Sequence, residues 1–345
     1  MKEGPLPEII DFQQAIEQSP DRKKRKVLLG NGFSRACKDD IFSYGALYEQ
    51  ADFGNLSPGA REAFTALGTR DFEIVIKSLR QTAQLAAVYV PDKPELLTTL
   101  VRDANGLRDV LVETIARNHP ERPHDIELER YAACRRFLDN FNCIYTLNYD
   151  LLLYWTLMQD DPAMEFFKLE DGFRKAEEPD ADYVAWDSGS SHTQTVYYMH
   201  GALHLFDAGH ELQKYTWCNT QIPLIEQVKA ALDRNDFPLF VAEDSSKAKM
   251  ERIMHHHYLG KAKSSFEKIG NDLFVFGLAF GESDGHILQM MGDNQVKQMF
   301  VSLHGEPNSD ANKKIIHQAE SIKARRHKYK LDVKYFKAET ARVWG

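Results

Sequence analysis

Short apolar runs alternate along this chain with longer segments of helical periodicity. Six runs have the length expected of strands, and they cover residues 26–29, 142–147, 196–200, 273–277, 298–302 and 331–336. The last run alternates apolar and polar side chains, which is typical of a strand at the edge of a sheet. Strands that alternate with helices predict an α/β fold with a doubly wound, mainly parallel, Rossmann-like sheet.

Helical spacing dominates the part of the chain between the first two predicted strands. Apolar residues recur there at helical intervals in two sets, Phe72, Val75, Ile76 and Leu79, and Leu107, Val110, Leu111 and Ile115. We therefore predict a helical insertion over 55–140. The catalytic domain would then consist of residues 1–54 and 141–345.

Shorter segments complete the predicted organisation. A helical patch at 9–16 lies within a polar first segment, and helices are predicted near 223–234 and 247–266. The proline-containing segment 119–124 predicts a loop. Residues 170–193 are acidic and weakly patterned, which favours a surface excursion.

Four of the predicted strands end in small or polar residues that could bind a nucleotide. The first strand is followed by Gly30, Asn31, Gly32, Phe33 and Ser34, and the second leads into Thr146, Leu147, Asn148, Tyr149 and Asp150. The third ends at His200 and Gly201, and the fourth runs into residues 277–284. Ligands of open parallel sheets bind beyond the carboxyl ends of the strands, where the crossing order reverses. We therefore expect one composite pocket.

The composition argues against several classes of protein. The 345 residues are 43% hydrophobic and 27% charged, which suits one large α/β domain with an insertion or two packed lobes. A net charge of -8 disfavours a nucleic-acid-binding protein, because phosphate binding requires concentrated Lys and Arg. No apolar run approaches the ~18 residues of a membrane span, and no secretory leader opens the chain. Without paired cysteines of the Cys-x-x-Cys type, we expect a cytoplasmic protein with reduced thiols.

The turn from Gly30 to Ser34 has features of a phosphate-binding turn. Glycine lets a phosphate approach the backbone, and unpaired amides at a helix start bind anions. The third glycine of the dinucleotide fingerprint is absent, however, since Ala36 and Cys37 occupy that region. No acidic ribose ligand stands at the expected distance, because Asp52 lies in a loop-like stretch. A tight turn without a ligand explains these residues equally well.

Asn148 and His200 are the candidate catalytic side chains. The amide of Asn148 can donate and accept hydrogen bonds, which suits a pair of ribose hydroxyls or an attacking water. A neutral imidazole at His200 can accept a proton from water or from a ribose hydroxyl. For Asp150 we favour a helix-capping role, and for His204 that of a hydrogen-bonded structural histidine.

The turn at residues 277–284 admits two interpretations. Backbone amides and Ser283 could bind phosphate or ribose, whereas Asp284 could instead cap the next helix.

No metal site is expected from the histidines. His200 and His204 would have metal-ligand spacing only on a helix, and a turn separates them. The three histidines at 255–257 would point in different directions around a helix axis.

Taken in this order, the four motifs resemble those of the sirtuin-like superfamily. They are similar in particular to its bacterial NAD-consuming branch from anti-phage defence systems. The family pattern is Gly-x-Gly-x-Ser, Thr-x-Asn-Tyr-Asp, His-Gly and Gly-x-Ser/Ala-x-Gly-x-x-Asp. This chain matches it at 30–34, 146–150, 200–201 and 277–284, so the resemblance covers most of residues 26–336.

The resemblance implies roles for individual residues. Asn148 and His200 would be the catalytic pair. Gly30, Gly32 and Ser34 would contact the pyrophosphate, and Gly277, Phe280 and Asp284 would line the adenosine side. The remaining motif residues are further candidates for NAD binding: Asn31, Phe33, Thr146, Tyr149, Asp150, Gly281 and Ser283. Residues 71–73 also match a family element, to which no role is assigned.

Two departures from the family pattern limit what the resemblance implies. The zinc-binding cysteine quartet of the protein-deacylating sirtuins is missing, which disfavours acyl-lysine substrates. The Gly-Ile-Pro segment that follows the first motif in the family is also missing. The loop at about 35–55, on the nicotinamide side, is therefore undefined by the resemblance.

The implied activity is hydrolysis of NAD to nicotinamide and ADP-ribose. NAD would be the substrate, no metal would be needed, and the protein would be a regulated NAD-depleting effector of abortive infection. Activation would come from assembly into a homo-oligomer or with a separately encoded sensor subunit, through the surface at 55–140. A non-catalytic module that binds NAD or ADP-ribose is the alternative, and NAD-dependent deacylation is a third and weaker hypothesis.

Overall fold

The structure, a computed structural model, contains one parallel and one antiparallel sheet. It describes residues 7–159, 169–178, 180–189, 193–241, 246–326 and 329–345. The strands are β1 (Ile9–Ile10), β2 (Arg25–Leu29), β3 (Cys143–Thr146), β4 (Phe173–Lys175), β5 (Tyr183–Trp186), β6 (Val196–Tyr198), β7 (Leu205–Asp207), β8 (Leu212–Tyr215), β9 (Gly270–Phe276), β10 (Gln295–Leu303) and β11 (Asp332–Lys337). All six strands predicted from the sequence are present.

The seven-stranded parallel sheet has the order β1-β11-β10-β9-β2-β3-β6. The chain builds this sheet outward from β2 through β3 to β6, then returns to the other side of β2 and continues from β9 to β11. Buried side chains form one apolar cluster on each face of the sheet. The predicted α/β, doubly wound, Rossmann-like architecture is therefore confirmed, and its crossing order reverses between β2 and β9.

Helices cover both faces of this sheet. They are α1 (Phe12–Glu17), α2 (Gly32–Cys37), α3 (Asp39–Phe42), α4 (Tyr44–Gln50), α5 (Pro58–Ala66), α6 (Phe72–Tyr89), α7 (Pro94–Asn118), α8 (Leu128–Leu138), α9 (Leu152–Met158), α10 (Trp217–Thr220), α11 (Leu224–Asp233), α12 (Ser246–His255), α13 (His257–Glu267), α14 (Gly285–Asp293) and α15 (Asp310–Arg325). In the part of the chain that the structure describes, no helix is long and apolar enough to cross a membrane.

Helices α5 to α8 occupy the region predicted as a helical insertion. Helices α6 and α7 pack against each other along their lengths as a hairpin. Their buried side chains, such as Val75 and Leu107, belong to the same apolar cluster as one face of the parallel sheet. The helical content agrees with the sequence pattern, and the division into a catalytic domain and an insertion stays a prediction.

Two local predictions at the edges of the fold are wrong. Strand β11 is not at the edge of the sheet, because β1 pairs with it in parallel, Ile9 with Tyr335 and Ile10 with Phe336. The two isoleucines therefore belong to a strand, and helix α1 begins only after Asp11, whose N–H donates to the side chain of Gln14 at 2.9 Å. Both differences arise from a pairing between the two ends of the chain.

The segment 170–193 is more than a surface excursion. It contributes β4 and β5 to an antiparallel sheet of order β4-β5-β8-β7, and Phe173 of β4 is buried. The predicted helix at 247–266 is in fact two helices, since His256 has an extended backbone between α12 and α13. The ring of His256 accepts the N–H of Leu259, so this histidine begins α13 as its cap.

Candidate active site

The ends of four parallel strands lie at the same level of the sheet. Leu29, the last residue of β2, pairs with Thr146 at the end of β3 and with Phe276 at the end of β9. Thr146 pairs in turn with Tyr198 at the end of β6. Because the register is aligned, the residues that follow these strands meet above one edge of the sheet.

One pocket collects residues from all four motifs at this edge. Its lining includes Gly30 and Asn31 after β2, Asn148, Tyr149 and Asp150 after β3, His200 after β6, and Asp284 beyond β9. Helices α4, α6 and α7 close the other side with Tyr44, Leu47, Glu73, Leu111 and Ile115. The pocket and its mouth contain about 680 Å³ of empty space. Two side chains singled out as catalytic, Asn148 and His200, therefore share one cavity.

The other predicted site residues lie outside the pocket lining. These are Gly32, Phe33, Ser34, Thr146, Gly277, Phe280, Gly281 and Ser283. Phe33 is buried against Trp344, whose indole N–H donates to the Phe33 carbonyl at 2.8 Å. Phe280 is buried in the apolar cluster on the other face of the sheet. These two phenylalanines stabilise the turns and are not placed to contact a ligand.

The glycines of the first motif pack the turn after β2 against the turn after β9. The N–H of Gly30 donates to the Phe276 carbonyl at 2.9 Å, and the N–H of Gly32 donates to the Gly277 carbonyl at 2.8 Å. A Cβ at Gly32 would lie 2.5 Å from the Gly277 Cα. These glycines permit close contact between two backbones, and their N–H groups are not free to bind a pyrophosphate. The expected phosphate-binding role of these two amides is therefore wrong.

A chain of hydrogen bonds orients Asn148. Its Nδ2 donates to the Ser34 hydroxyl at 2.8 Å, and that hydroxyl donates to the buried carboxylate of Asp150. Asp150 also accepts the N–H of Leu152, the first residue of α9, at 2.9 Å, although the N-cap position itself is Leu151. Burial raises the pKa of Asp150. Among the described residues none donates to Oδ1 of Asn148, so this oxygen is an available acceptor in the pocket.

His200 is paired with a second histidine that the sequence analysis did not identify. The two Nε2 atoms of His200 and His286 lie 2.9 Å apart, and both rings are buried. Burial, together with the charge of Lys249, lowers the pKa of His200 well below its usual range and that of His286 to about 3. Both rings are therefore neutral near pH 7. The Nε2–H of one ring donates to the Nε2 of the other. His286 lies in α14, two positions after the candidate site residue Asp284. Its position next to a predicted site residue is the one feature of the sequence that points to it.

A third buried histidine supports the turn that carries Asn148. His119 follows α7, its Nδ1 donates to the Pro120 carbonyl at 2.9 Å, and its Nε2 accepts the N–H of Leu151 at 3.1 Å. The second bond requires the neutral ring, because a protonated Nε2 cannot accept a hydrogen bond. Burial lowers the pKa of His119 to about 4. This residue lies in the predicted loop 119–124, and no local pattern distinguishes it there.

We expect His119 to make the protein less stable in acid. Between pH 6.5 and about 4 the unfolded chain binds a proton at this ring and the folded chain does not, so stability falls as the pH falls. From pH 7 to pH 5 this one group should remove about 2 kcal/mol of unfolding free energy. Denaturant unfolding of wild type and His119→Gln at both pH values measures it, because glutamine keeps a donor and an acceptor and does not titrate. Equal losses in the two proteins would contradict this assignment.

Buried charges surround the wall of the pocket formed by α6. The Nζ of Lys249 lies 2.9 Å from Oε2 of Glu73, and both side chains are buried. Asp71 accepts the N–H of Glu73 at 2.9 Å and so caps α6. Asp284 stands at the start of α14 but its side chain caps no N–H there, and burial raises its pKa to about 6. The capping alternative for Asp284 is therefore wrong.

The sequence contained partial signals for this charged group. Residues 71–73 match an element of the sirtuin-like family, but the resemblance assigns no role to them. Lys249 is spaced four residues from the buried Ile253, which places a lysine on the apolar side of α12. A lysine at such a position is a signal for a buried ion pair, but it does not identify the partner.

His204 lies in an aromatic environment. His204 is buried between the rings of Tyr154 and Tyr198, at 4.7 and 5.2 Å. Neither of its ring nitrogens has a hydrogen-bond partner within the described part of the chain, so the prediction of a hydrogen-bonded histidine is wrong. No group of three or more His, Cys, Asp or Glu side chains that could hold a metal ion occurs among the described residues.

Comparison with known proteins identifies the family of the chain. No curated protein matches this sequence. A family model described as "Domain of unknown function (DUF4917)" matches residues 27–344. The match includes every element that contributes to the pocket. The chain therefore belongs to the DUF4917 family.

Proposed function

We propose that this protein is an NAD glycohydrolase that converts NAD and water into nicotinamide and ADP-ribose. The observation that carries the proposal is that Asn148 and His200 follow different strands and still line the same pocket. The pocket lies at the carboxyl ends of parallel strands, close to the reversal between β2 and β9. Nucleotides bind at this place in sheets of this kind.

The proposed reaction breaks the bond between the nicotinamide nitrogen and C1′ of the ribose. Nicotinamide leaves with the bonding electron pair as a neutral base, and the oxygen of water forms the new bond to C1′. One water proton is released. Oδ1 of Asn148 would accept a hydrogen bond from the water or from a ribose hydroxyl. The neutral ring of His200 would accept the proton, and His286 lies within hydrogen-bond distance to share it.

We further propose that the activity is controlled by assembly, as a defence effector in abortive infection would require. An NAD hydrolase that was always active would empty the cell of NAD. The hairpin of α6 and α7 carries exposed apolar side chains near its tip, including Val88 at 76% and Tyr89 at 80% exposure. Such residues suit a contact with a second copy or a sensor subunit. The same hairpin contributes Glu73 and Ile115 to the pocket wall.

Replacing Asn148 with alanine should lower nicotinamide release by about 100-fold, because the water or ribose loses its orienting acceptor. Chromatography of nicotinamide and ADP-ribose after incubation with NAD measures the rate. The incubation should be run with and without the product of the neighbouring gene. Asn308→Ala, at an exposed asparagine before α15 and outside the α6–α7 hairpin, is the matched control and should leave the rate unchanged.

Three outcomes would contradict this proposal or a part of it. Tight NAD binding without nicotinamide release under any condition would identify a binding module. Unchanged turnover in Asn148→Ala would remove Asn148 from the mechanism. Release of O-acetyl-ADP-ribose from an acetylated peptide would instead indicate deacylation.

A further inference from the structure

The pocket is unusually acidic for a site that binds a dinucleotide. Its lining includes three carboxyl groups, those of Glu73, Asp150 and Asp284, and no Lys or Arg among the described residues. Asp150 is occupied by its bonds to Ser34 and Leu152. The carboxyl groups of Glu73 and Asp284 therefore determine the charge that a ligand meets in the pocket.

Lys249 holds Glu73 in place from behind the pocket. Burial alone would lower the pKa of Lys249, but the charges of Glu73, Asp284 and Asp71 outweigh it and the pKa is raised. The lysine is therefore protonated, and it bonds Oε2 of Glu73 at 2.9 Å. The other oxygen, Oε1, has a long contact of 3.4 Å with the Tyr149 hydroxyl, which also donates to the Val241 carbonyl at 2.8 Å. One oxygen of a fixed carboxylate thus remains able to interact with a ligand.

This arrangement opposes phosphate and favours a cation. A pyrophosphate inside the pocket would meet the charge of Glu73, and the amides of Gly30 and Gly32 are already bonded to protein. The nicotinamide ring of oxidised NAD carries a positive charge, which its reduced form lacks. A unit charge about 6 Å from a lone carboxylate, at an effective dielectric constant of about 20, corresponds to a preference of the order of 100-fold. The charge of Lys249, bonded to the far oxygen of Glu73, reduces this preference, so about 100-fold is its upper bound.

We propose that Glu73, held by Lys249, recognises the positive charge of the nicotinamide ring, so that the pocket selects N-ribosyl pyridinium cations. The nicotinamide–ribose end of NAD would enter the pocket, and the phosphates would remain at its mouth. This inference rests on the proposed function, and it adds that the protein recognises the nicotinamide ring of the substrate. Glu73 would be a specificity-determining residue, and Lys249 a positioning residue that acts through it.

The test compares binding of a cationic and a neutral dinucleotide to the full chain. Calorimetric titration would use carba-NAD⁺, which cannot be cleaved, and NADH. Wild type should bind carba-NAD⁺ about 10 to 100 times more tightly than NADH. Glu73→Gln should reduce this ratio to about 3 or less, because glutamine has a similar shape and no charge.

A second variant controls for a loss of folding in Glu73→Gln. Glu73→Gln leaves Lys249 buried without its main partner, whereas the double variant Glu73→Gln/Lys249→Met removes both charges and should fold. Its binding ratio should also fall to about 3 or less. Glu267→Gln breaks a surface pair with Lys263, 2.6 Å long, and is the matched control that should keep the wild-type ratio.

The outcomes distinguish this inference from the proposed function. A ratio that stays at the wild-type value in the folded double variant would overturn the role of Glu73, and nicotinamide release by wild type would still support the hydrolase. A ratio that falls as expected, without any nicotinamide release, would keep the role of Glu73 and overturn the hydrolase. A folded wild type that binds neither dinucleotide would overturn both.

Discussion

Replacing Gly201 with alanine is expected to destabilise the protein by more than about 4 kcal/mol, an effect seen only where a substitution breaks a specific structural constraint. Gly201 has φ +82, a conformation that side chains disfavour. A Cβ at this position would lie 1.9 Å from the Leu239 carbonyl oxygen, so the backbone on one side must move. Because His200 precedes this glycine, the displacement would also disturb the pocket. Denaturant unfolding followed by circular dichroism measures the loss.

Gly209 offers a matched control for this substitution. It has φ +83, but a Cβ there would have no atom of the described residues within 4 Å. Gly209→Ala should therefore show the cost of the backbone conformation alone, about 1–2 kcal/mol. If both variants lost the same stability, the contact with Leu239 would not be the constraint that requires glycine after His200.

Replacing His200 with alanine is expected to lower nicotinamide release by about 10²- to 10⁴-fold, the usual contribution of a general base. His200 is 2% exposed, follows the carboxyl end of β6 and has its ring paired with that of His286. Its lowered pKa keeps it neutral near pH 7, which is the form that can accept a proton. The rate of nicotinamide release at saturating NAD measures the effect.

His210→Ala is the control for this experiment. Its imidazole is 77% exposed, it lies in the turn between β7 and β8, and its removal should leave the rate unchanged. Binding of carba-NAD⁺ should be similar in wild type and His200→Ala, because the ring is proposed to act on the proton and not to hold the substrate. A His200→Ala protein that binds the analogue and releases nicotinamide at the wild-type rate would show that the base is another group.

The strand exits illustrate what local sequence patterns predict well. Buried strands require continuous apolar runs, and a parallel sheet requires helices between its strands, so both leave strong local signals. The polar residues that follow β2, β3, β6 and β9 had to meet at one edge once the sheet was parallel. The proximity of Asn148 and His200 follows from that geometry.

The functions of individual residues were predicted less well, because they depend on partners distant in sequence. Gly32 looked like a phosphate-binding residue, yet its N–H and its lack of a side chain serve the contact with Gly277. Asp284 looked like a helix cap and caps nothing. His204 was expected to have a hydrogen bond and has none among the described residues.

The sequence by itself determined the fold class, the order of the strands along the chain and the set of motifs at their ends, because hydrophobic periodicity and turn residues are local properties. Only the tertiary structure decided which groups remain available to a ligand. Lys249 and Glu73 form their pair across the fold, and His286 reaches His200 from another helix. Burial and hydrogen-bond partners determine charge and availability, and both are properties of contacts between segments far apart in the chain.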